Sequence, residues 1–314
     1  MSGDFVHLHL HSEYSLLDGA CRLERVLAAA AEGKMPALAL TDHGVMYGVA
    51  DFYKLAGRYG VKPILGCEVY VARRSRFDRQ GQQEESPYHL VLLAENQQGY
   101  QNLLRLVSRA YLEGFYYKPR VDKELLAAHA AGLVALSGCL AGEGPVLFLR
   151  GQEEKAMEAL AWYRDVFGPD NFYLELQDHG LEEQKRANRF LAEAARRLAL
   201  PLVATNDVHY LRREDAGLHD VLLCIQTGKT LEDTKRLEFP TQEFYFKTGE
   251  EMAALFRELP QAISNTRAIA ERCQVELPFG RLHLPHYPVP DGQTPESYLR
   301  QLCHAGLSAK GLER

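Results

Sequence analysis

Six cysteines in 314 residues, at positions 21, 67, 139, 224, 273 and 303, are too scattered to form a CxxC pair. That spacing argues against a disulfide framework and for free thiols in a reducing, cytoplasmic compartment. No window approaches the run of about 18 apolar residues that a membrane-spanning helix needs, so no membrane partner is expected. The N-terminus has no basic stretch followed by an apolar one, and the sequence predicts no secretory leader. Positive charge is also lacking in bulk: 36 Lys and Arg against 42 Asp and Glu leave a net charge of −6. Such a chain does not hold nucleic acid by overall electrostatics, which leaves a metal site or a local basic patch as the means. No GxGxxG follows the first predicted strand, and no GxSxG elbow occurs. Gly228-Lys229-Thr230 imitates the end of a P-loop, but position 223, where the first glycine belongs, is Leu.

What is present is an alternation of short apolar runs with amphipathic stretches. Strands are predicted at 5–10 (FVHLHL), 37–41, 63–71 (PILGCEVYV), 88–93, 132–137, 172–176 (FYLEL) and 201–205. Helical periodicity fills 22–32, 48–58, 97–112, 122–129, 152–166 and 181–198. This order implies an α/β fold with parallel strands, either an open doubly wound sheet or a barrel. Residues 73–87 are polar and read as a mobile insertion, with Arg73, Arg74, Arg76 and Arg79 on a solvated loop. After about residue 212 the rhythm weakens. Residues 248–273 look helical, 278–295 look like a linker, and 296–314 form a short helical pattern with no obvious ending, as in a fragment of a longer chain.

Metal-ligand types gather at the predicted strand ends. Strand one ends in His9-Leu10-His11, with Asp18 shortly after. Thr41-Asp42-His43-Gly44 follows strand two, and Gly66-Cys67-Glu68 lies in strand three. His89 lies in strand four, Ser137-Gly138-Cys139 ends strand five, Gln177-Asp178-His179 follows strand six, and Asn206-Asp207-Val208-His209 follows strand seven. In parallel α/β folds these ends share one rim, where sites are built. Each signal has a plain alternative. An HxH pair often lies on a surface or in a satisfied core, TDHG is also a turn sequence, and Cys139 is also a small buried hydrophobe. Glu68 is the most telling, because a carboxylate inside an apolar strand needs a cation or a hydrogen-bonded partner. Together they point to one polynuclear metal centre. Mixed His and carboxylate ligands suit Zn, Mn or Fe, and such clusters hydrolyse phosphate esters. The run 108–120 (SRAYLEGFYYKPR) interleaves aromatics with Arg109, Lys118 and Arg120. It reads either as a stacking and phosphate surface for a single strand or as a packed helix end.

These motifs, in this order, resemble the PHP (polymerase and histidinol phosphatase) domain. The longer stretches HSEYSLLDGA, PALALTDHG, KPILGCEVYV, ALSGCLAGE, VATNDVHY and EFYFKTGEEM closely resemble the N-terminal region of the α subunits of bacterial C-family replicative polymerases. The resemblance implies a distorted (β/α)7 barrel over about 1–211 and a C-terminal helical extension over about 212–277. Residues 278–314 would be a linker and the start of a polymerase region. It implies three divalent metals, Zn or Mn, with Fe as a further option. His9, His11, Glu68 and Asp207 would hold the first. Glu68 would bridge to a second on His89 and Cys139, and Asp18, His43 and His209 would hold the third. His9, His11, Glu68, Asp207 and His209 would be catalytic as ligands that activate water. His7 would support the ligands from behind, Lys118 and Arg120 would face substrate, and His179 would either face substrate or support the ligands from behind.

Three functions then compete. The first is a 3′→5′ exonuclease acting on the single-stranded 3′ end of DNA, proofreading for the attached polymerase. The second is a phosphatase of the histidinol phosphatase type. The third is a metal-stabilised scaffold for the remainder of the polymerase α chain and a separate proofreading subunit.

Overall fold

The computed structural model describes residues 5–16, 18–79, 86–280, 282 and 284–312. The chain divides into two compact units, one ending at Glu276 and one starting at Leu277. Among the described residues no helix is long and apolar enough to cross a membrane.

The first unit begins with α1 (Leu23–Glu32), β1 (Ala37–Leu40), α2 (Val49–Tyr59), β2 (Lys62–Val71) and β3 (Tyr88–Ala94). Helix α1 buries Leu23, Val26, Leu27 and Ala30, the i, i+3, i+4, i+7 stripe of an amphipathic helix. All four residues of β1 are buried, which explains why ALAL shows no polar alternation. Next come α3 (Gln97–Leu112), β4 (Arg120–Val121), α4 (Lys123–Ala128), β5 (Leu133–Leu136), α5 (Glu143–Leu149), α6 (Glu153–Phe167), β6 (Phe172–Leu176), α7 (Glu182–Leu198) and β7 (Leu202–Ala204). Asn96 and Asp122 cap α3 and α4 by accepting the Gly99 and Leu125 amides.

The sheet runs β1-β2-β3-β5-β6-β7, with β4 paired to β2. The expected parallel order holds for β1–β2, β5–β6 and β6–β7, but β3 runs antiparallel to both neighbours. A parallel return needs a crossover helix, and the connection at 72–87 shows none among its described residues. One consequence reaches the site: His89, at the start of β3, comes to the rim where the parallel strands end.

Segment 5–11 closes the curled sheet. The Ala39 and Thr41 amides donate to His7 O and Leu10 O at 2.9 and 3.0 Å. On its other side His11 N donates to Val208 O at 2.8 Å, and Val208 N to His9 O at 3.1 Å. The strand expected at 5–10 is therefore an extended, bridged segment rather than a regular ladder. Side chains interrupt the ladder: Val6 N donates to Thr266 Oγ1 and Leu10 N to Thr41 Oγ1.

The helical extension contains α8 (Ala216–Thr227), α9 (Gly249–Leu255) and α10 (Pro260–Arg272). The single helix expected over 248–273 is split because Pro260, lacking an amide hydrogen, starts a new one. Ile269 and Ala270 of α10 join Val6, Leu8, Ile64 and Val134 in the core. Lys62 Nζ donates to Ala270 O, and Gln274 N to Glu95 O, so α10 covers the end of the sheet opposite the site.

The loop at 73–79 also departs from expectation. Arg76 is buried, with Nη1 donating to both Asp122 oxygens at 2.8 and 3.0 Å and Nε to Glu113 at 2.7 Å. Two carboxylates match the planar fork of a guanidinium and hold this segment down. Arg79 donates to Arg76 O and Glu113 O. Residues 80–85 of the expected mobile insertion lie outside the described residues. In the second unit α11 (Pro295–Ala309) is capped by Thr294 and buries none of its residues.

Candidate metal centre

Glu68 sits in the middle of β2, almost fully buried, and four imidazoles surround its carboxylate. Oε1 lies 3.0 Å from His89 Nδ1 and 3.4 Å from His9 Nε2. Oε2 lies 2.6 Å from His43 Nδ1 and 3.5 Å from His11 Nε2. Asp207 Oδ1 approaches the same histidines from the end of β7, 3.3 Å from His9 Nε2 and 3.2 Å from His11 Nε2. Asp18 lies 3.3 Å from His43 and 3.9 Å from His209, and Cys139 Sγ lies 4.0 Å from His89. The nine side chains named from the sequence thus meet at one rim. Among the described residues, three groupings have ligand atoms close enough to share an ion: His9, His11 and Asp207; His43, Glu68 and His89; His11, His43 and His209.

The buried polar atoms show whether a metal fits. Among the described residues, His9 Nε2, His43 Nδ1 and Glu68 Oε2 are buried without a hydrogen-bond partner. His43 Nδ1 and Glu68 Oε2 are close in distance but lack hydrogen-bond geometry. Lone pairs that converge in a buried site without proton donors suit a cation, and the N, O and S donor set suits Zn, Mn or Fe. The charges agree. Burial alone would raise the Glu68 carboxyl, but His89, His43 and His9 pull it well below its usual range. Burial opposes charge on His9 and His43 too, yet Asp207, Glu175 and Glu68 raise His9, and Asp18 and Glu68 raise His43. Burial, with His43 and His209 as neighbours, pushes His11 down to about 3.

Asp207 occupies the left-handed region at φ 45°, uncommon for a residue other than glycine. This strained turn lets its side chain reach His9 and His11 while its carbonyl accepts from His209 Nδ1 at 2.8 Å. In the TDHG turn Asp42 and His43 divide the work. Asp42 accepts Ser12 N and Ser12 Oγ, which fixes the chain after His11, while His43 faces the centre.

Two supporting residues escaped the sequence reading. Glu175 of β6 is buried and accepts from His9 Nδ1 at 2.7 Å, Gly138 N at 3.0 Å, Gln177 Nε2 at 3.0 Å and Thr205 Oγ1. With Nδ1–H committed to Glu175, His9 presents Nε2 to the centre. The signal was a carboxylate inside FYLEL, the argument already applied to Glu68. Glu175→Gln is expected to keep the fold and lower metal affinity roughly 10–100-fold. Competition against a chelating dye measures it, and unchanged affinity would remove Glu175 from this role. His219 of α8 is the second: it is buried and its ring centroid is 5.6 Å from that of His209.

Other expected residues fall elsewhere. His7 bonds Lys247 O at 2.8 Å and packs between Phe5 and Phe246, so it supports the barrel wall rather than the ligands. His179 does not face substrate: it is fully buried, bonded to Asn206 O and Gln184 and stacked on Phe244. Arg120 lines the cleft beside the centre, with Nε and Nη2 donating to Gly114 O, Arg76 O and Asp78 O. A cleft of about 340 Å³ opens over the centre, with Asp18, His43 and His89 at its base and Tyr116, Tyr117 and Lys118 on one wall. Lys118 Nζ lies 5.3 Å from the centre of the Tyr70 ring, and burial lowers its pKa.

The PHP domain family matches residues 7–179, more than half of the chain. The chain belongs to the PHP family. This PHP domain is 52% identical over 305 residues to the DNA polymerase III subunit alpha of Treponema pallidum, a match covering 96% of the chain and 26% of the relative. It is 50% identical over 313 residues to that of Thermus aquaticus, again covering 96% of the chain and 26% of the relative. The chain thus spans about a quarter of the length of these relatives. Among solved structures, a proposed metal-dependent phosphoesterase from Bifidobacterium adolescentis is similar at 14% identity and a TM-score of 0.41, covering 65% of this PHP chain and 87% of that chain.

Proposed function

We propose that this PHP domain is the metal-dependent phosphoesterase portion of a bacterial replicative polymerase α subunit, cleaving terminal phosphodiesters of DNA in the 3′→5′ direction. The observation that carries the reading is Glu68, a buried carboxylate ringed by four imidazoles with Asp207 on the same side. His9, His11, Glu68 and Asp207 would hold one ion, Glu68, His89 and Cys139 a second, and Asp18, His43 and His209 a third. Divalent ions held there supply an acidified water and neutralise the non-bridging oxygens of the phosphate. The chain's own groups do the rest. Glu175 orients His9, Asp42 fixes the Ser12 turn, and the open side of the centre at Asp18, His43 and His89 admits the phosphate. Lys118 meets its charge from the wall. The remaining α chain would supply most of the grip on DNA, which accords with a net charge of −6, in a cytoplasmic complex with a separate proofreading subunit as a further partner.

One observation favours a second reading. The ligand side chains come from segments as far apart as His9 and His209, so bound ions would also tie the barrel together as a scaffold. Incubation with 3′-labelled single-stranded DNA separates the two. The nuclease reading expects mononucleotide release that a chelator abolishes. Metal-loaded protein that releases none leaves the scaffold, and faster turnover of a small phosphate monoester than of DNA would favour the phosphatase.

A further inference from the structure

The aromatic run after α3 is built into the edge of the cleft. At Gly114 a Cβ would stand 1.8 Å from Arg120 O, so only glycine lets the chain fold back there. Tyr116 N then donates to Lys118 O, and Tyr117 takes a left-handed φ of 59°. This strained turn carries Tyr116, Tyr117 and Lys118 onto the cleft wall. The aromatic surface continues beyond the cleft. Tyr111 and Phe115 are 37% and 51% exposed, and their rings stack at 5.9 Å. Tyr47, 57% exposed, follows His43 by four positions, and its hydroxyl donates to that of Tyr111 at 3.4 Å. Single exposed rings are ordinary, but these three are joined through Tyr111, and Phe115 directly precedes Tyr116 and Tyr117 of the cleft wall.

We propose that Tyr47, Tyr111 and Phe115 form a stacking shelf for the unpaired nucleotides that precede the terminal one, so that the site takes a single-stranded polynucleotide rather than a mononucleotide or a paired end. Flat aromatic faces accept any base, which gives grip without sequence preference. Arg73, Arg74 and Lys118 line the adjoining cleft and meet the phosphates. A paired end cannot use the shelf until its last bases unstack, so the shelf favours a frayed or mispaired terminus. The direction of the strand rests on the phosphoesterase reading, but binding to the shelf does not.

The test uses the 314-residue chain in chelator, with fluorescein-labelled oligothymidylates of increasing length read by anisotropy. Affinity is expected to rise up to about four nucleotides and then level off. Tyr111→Ala and Phe115→Ala should each weaken binding of the thymidine octanucleotide roughly tenfold. Phe115→Leu, which keeps apolar bulk, should lose as much as Phe115→Ala. In metal-loaded protein, turnover of the p-nitrophenyl ester of thymidine 5′-monophosphate should be unchanged in all three variants. Unchanged oligonucleotide affinity in the variants, or equal binding of a blunt duplex, overturns the shelf. Length-dependent binding that needs Tyr111 and Phe115 upholds the shelf even if neither substrate is hydrolysed, an outcome that would refute only the phosphoesterase reading.

Discussion

Asp207→Asn is expected to reduce hydrolysis by about a thousandfold while leaving the fold intact. The carboxylate lies within 3.3 Å of His9 and 3.2 Å of His11, so it is the second negative charge at the heart of the cluster after Glu68. Losing about 4 kcal/mol of charge stabilisation in the transition state corresponds to that factor. Asparagine is the informative replacement because of the backbone. Residue 207 sits at φ 45°, a region asparagine tolerates better than most side chains. Its carbonyl still accepts from His209 Nδ1. The variant therefore removes charge without adding strain, whereas Asp207→Ala would change both. Rates on labelled DNA, paired with elemental analysis of the purified protein, check the prediction. Full metal occupancy with wild-type turnover in the asparagine variant would sink the assignment.

Removing the metals is expected to lower the unfolding temperature by roughly 10 °C near neutral pH, with a larger gap in alkali. Even one ion bound at a thousand times its dissociation constant contributes about 4 kcal/mol to the folded state, and a chain of this size loses roughly 2–4 °C per kcal/mol. The pH dependence follows from the imidazoles. In metal-free protein His9 and His43 have pKa values well above 6.5. Their contribution is fully present below the unfolded value and is lost as pH rises through the folded one. His7, His11, His179 and His219 are instead pushed down, chiefly by burial, to values of about 4, 3, 4 and 4. The unfolded chain takes up protons at these four below about pH 6.5 while the folded one does not, so stability falls there as well. Metal-free protein should thus be most stable near pH 6.5 and weaken on both sides. Metal-loaded protein should keep its stability above pH 6.5, because ligand imidazoles bind ions when neutral. Urea melts with and without chelator at three pH values measure both limbs. A gap that narrows as pH rises would contradict the arrangement of charges at the centre.

The elements were legible in the sequence wherever periodicity decides them. FYLEL is the strand Phe172–Leu176, and the helical pattern over 97–112 is the helix Gln97–Leu112. The meeting of Glu68 with the histidines was legible for a stronger reason, that a carboxylate in an apolar strand must find partners. Features set by tertiary pairing were hidden. The reversal of β3 depends on how the chain returns between β2 and β3, a connection with no helix among its described residues. His179 carries the same ligand-type signal as His209, yet Phe244 and Asn206, far along the chain, enclose it. Arg76 looks solvated until Glu113 and Asp122 are brought beside it. Glu175 was readable by the rule that found Glu68, but nothing in its sequence neighbourhood marks it as the partner of His9.

The closure of the sheet by segment 5–11 also carries an expectation for the order of folding. His9 and His11 come before the other ligands in the chain, but their segment pairs with 37–41 on one side and with Val208 on the other. Contacts of such long sequence separation carry the largest loop-closure cost and form late. During synthesis the two histidines must wait until about two hundred further residues have emerged. Asp207 and His209 flank Val208, which completes the ring, so a full set of ligands and a finished barrel are expected to come into being together. Ion uptake during refolding would therefore serve as a timer for the last step of assembly.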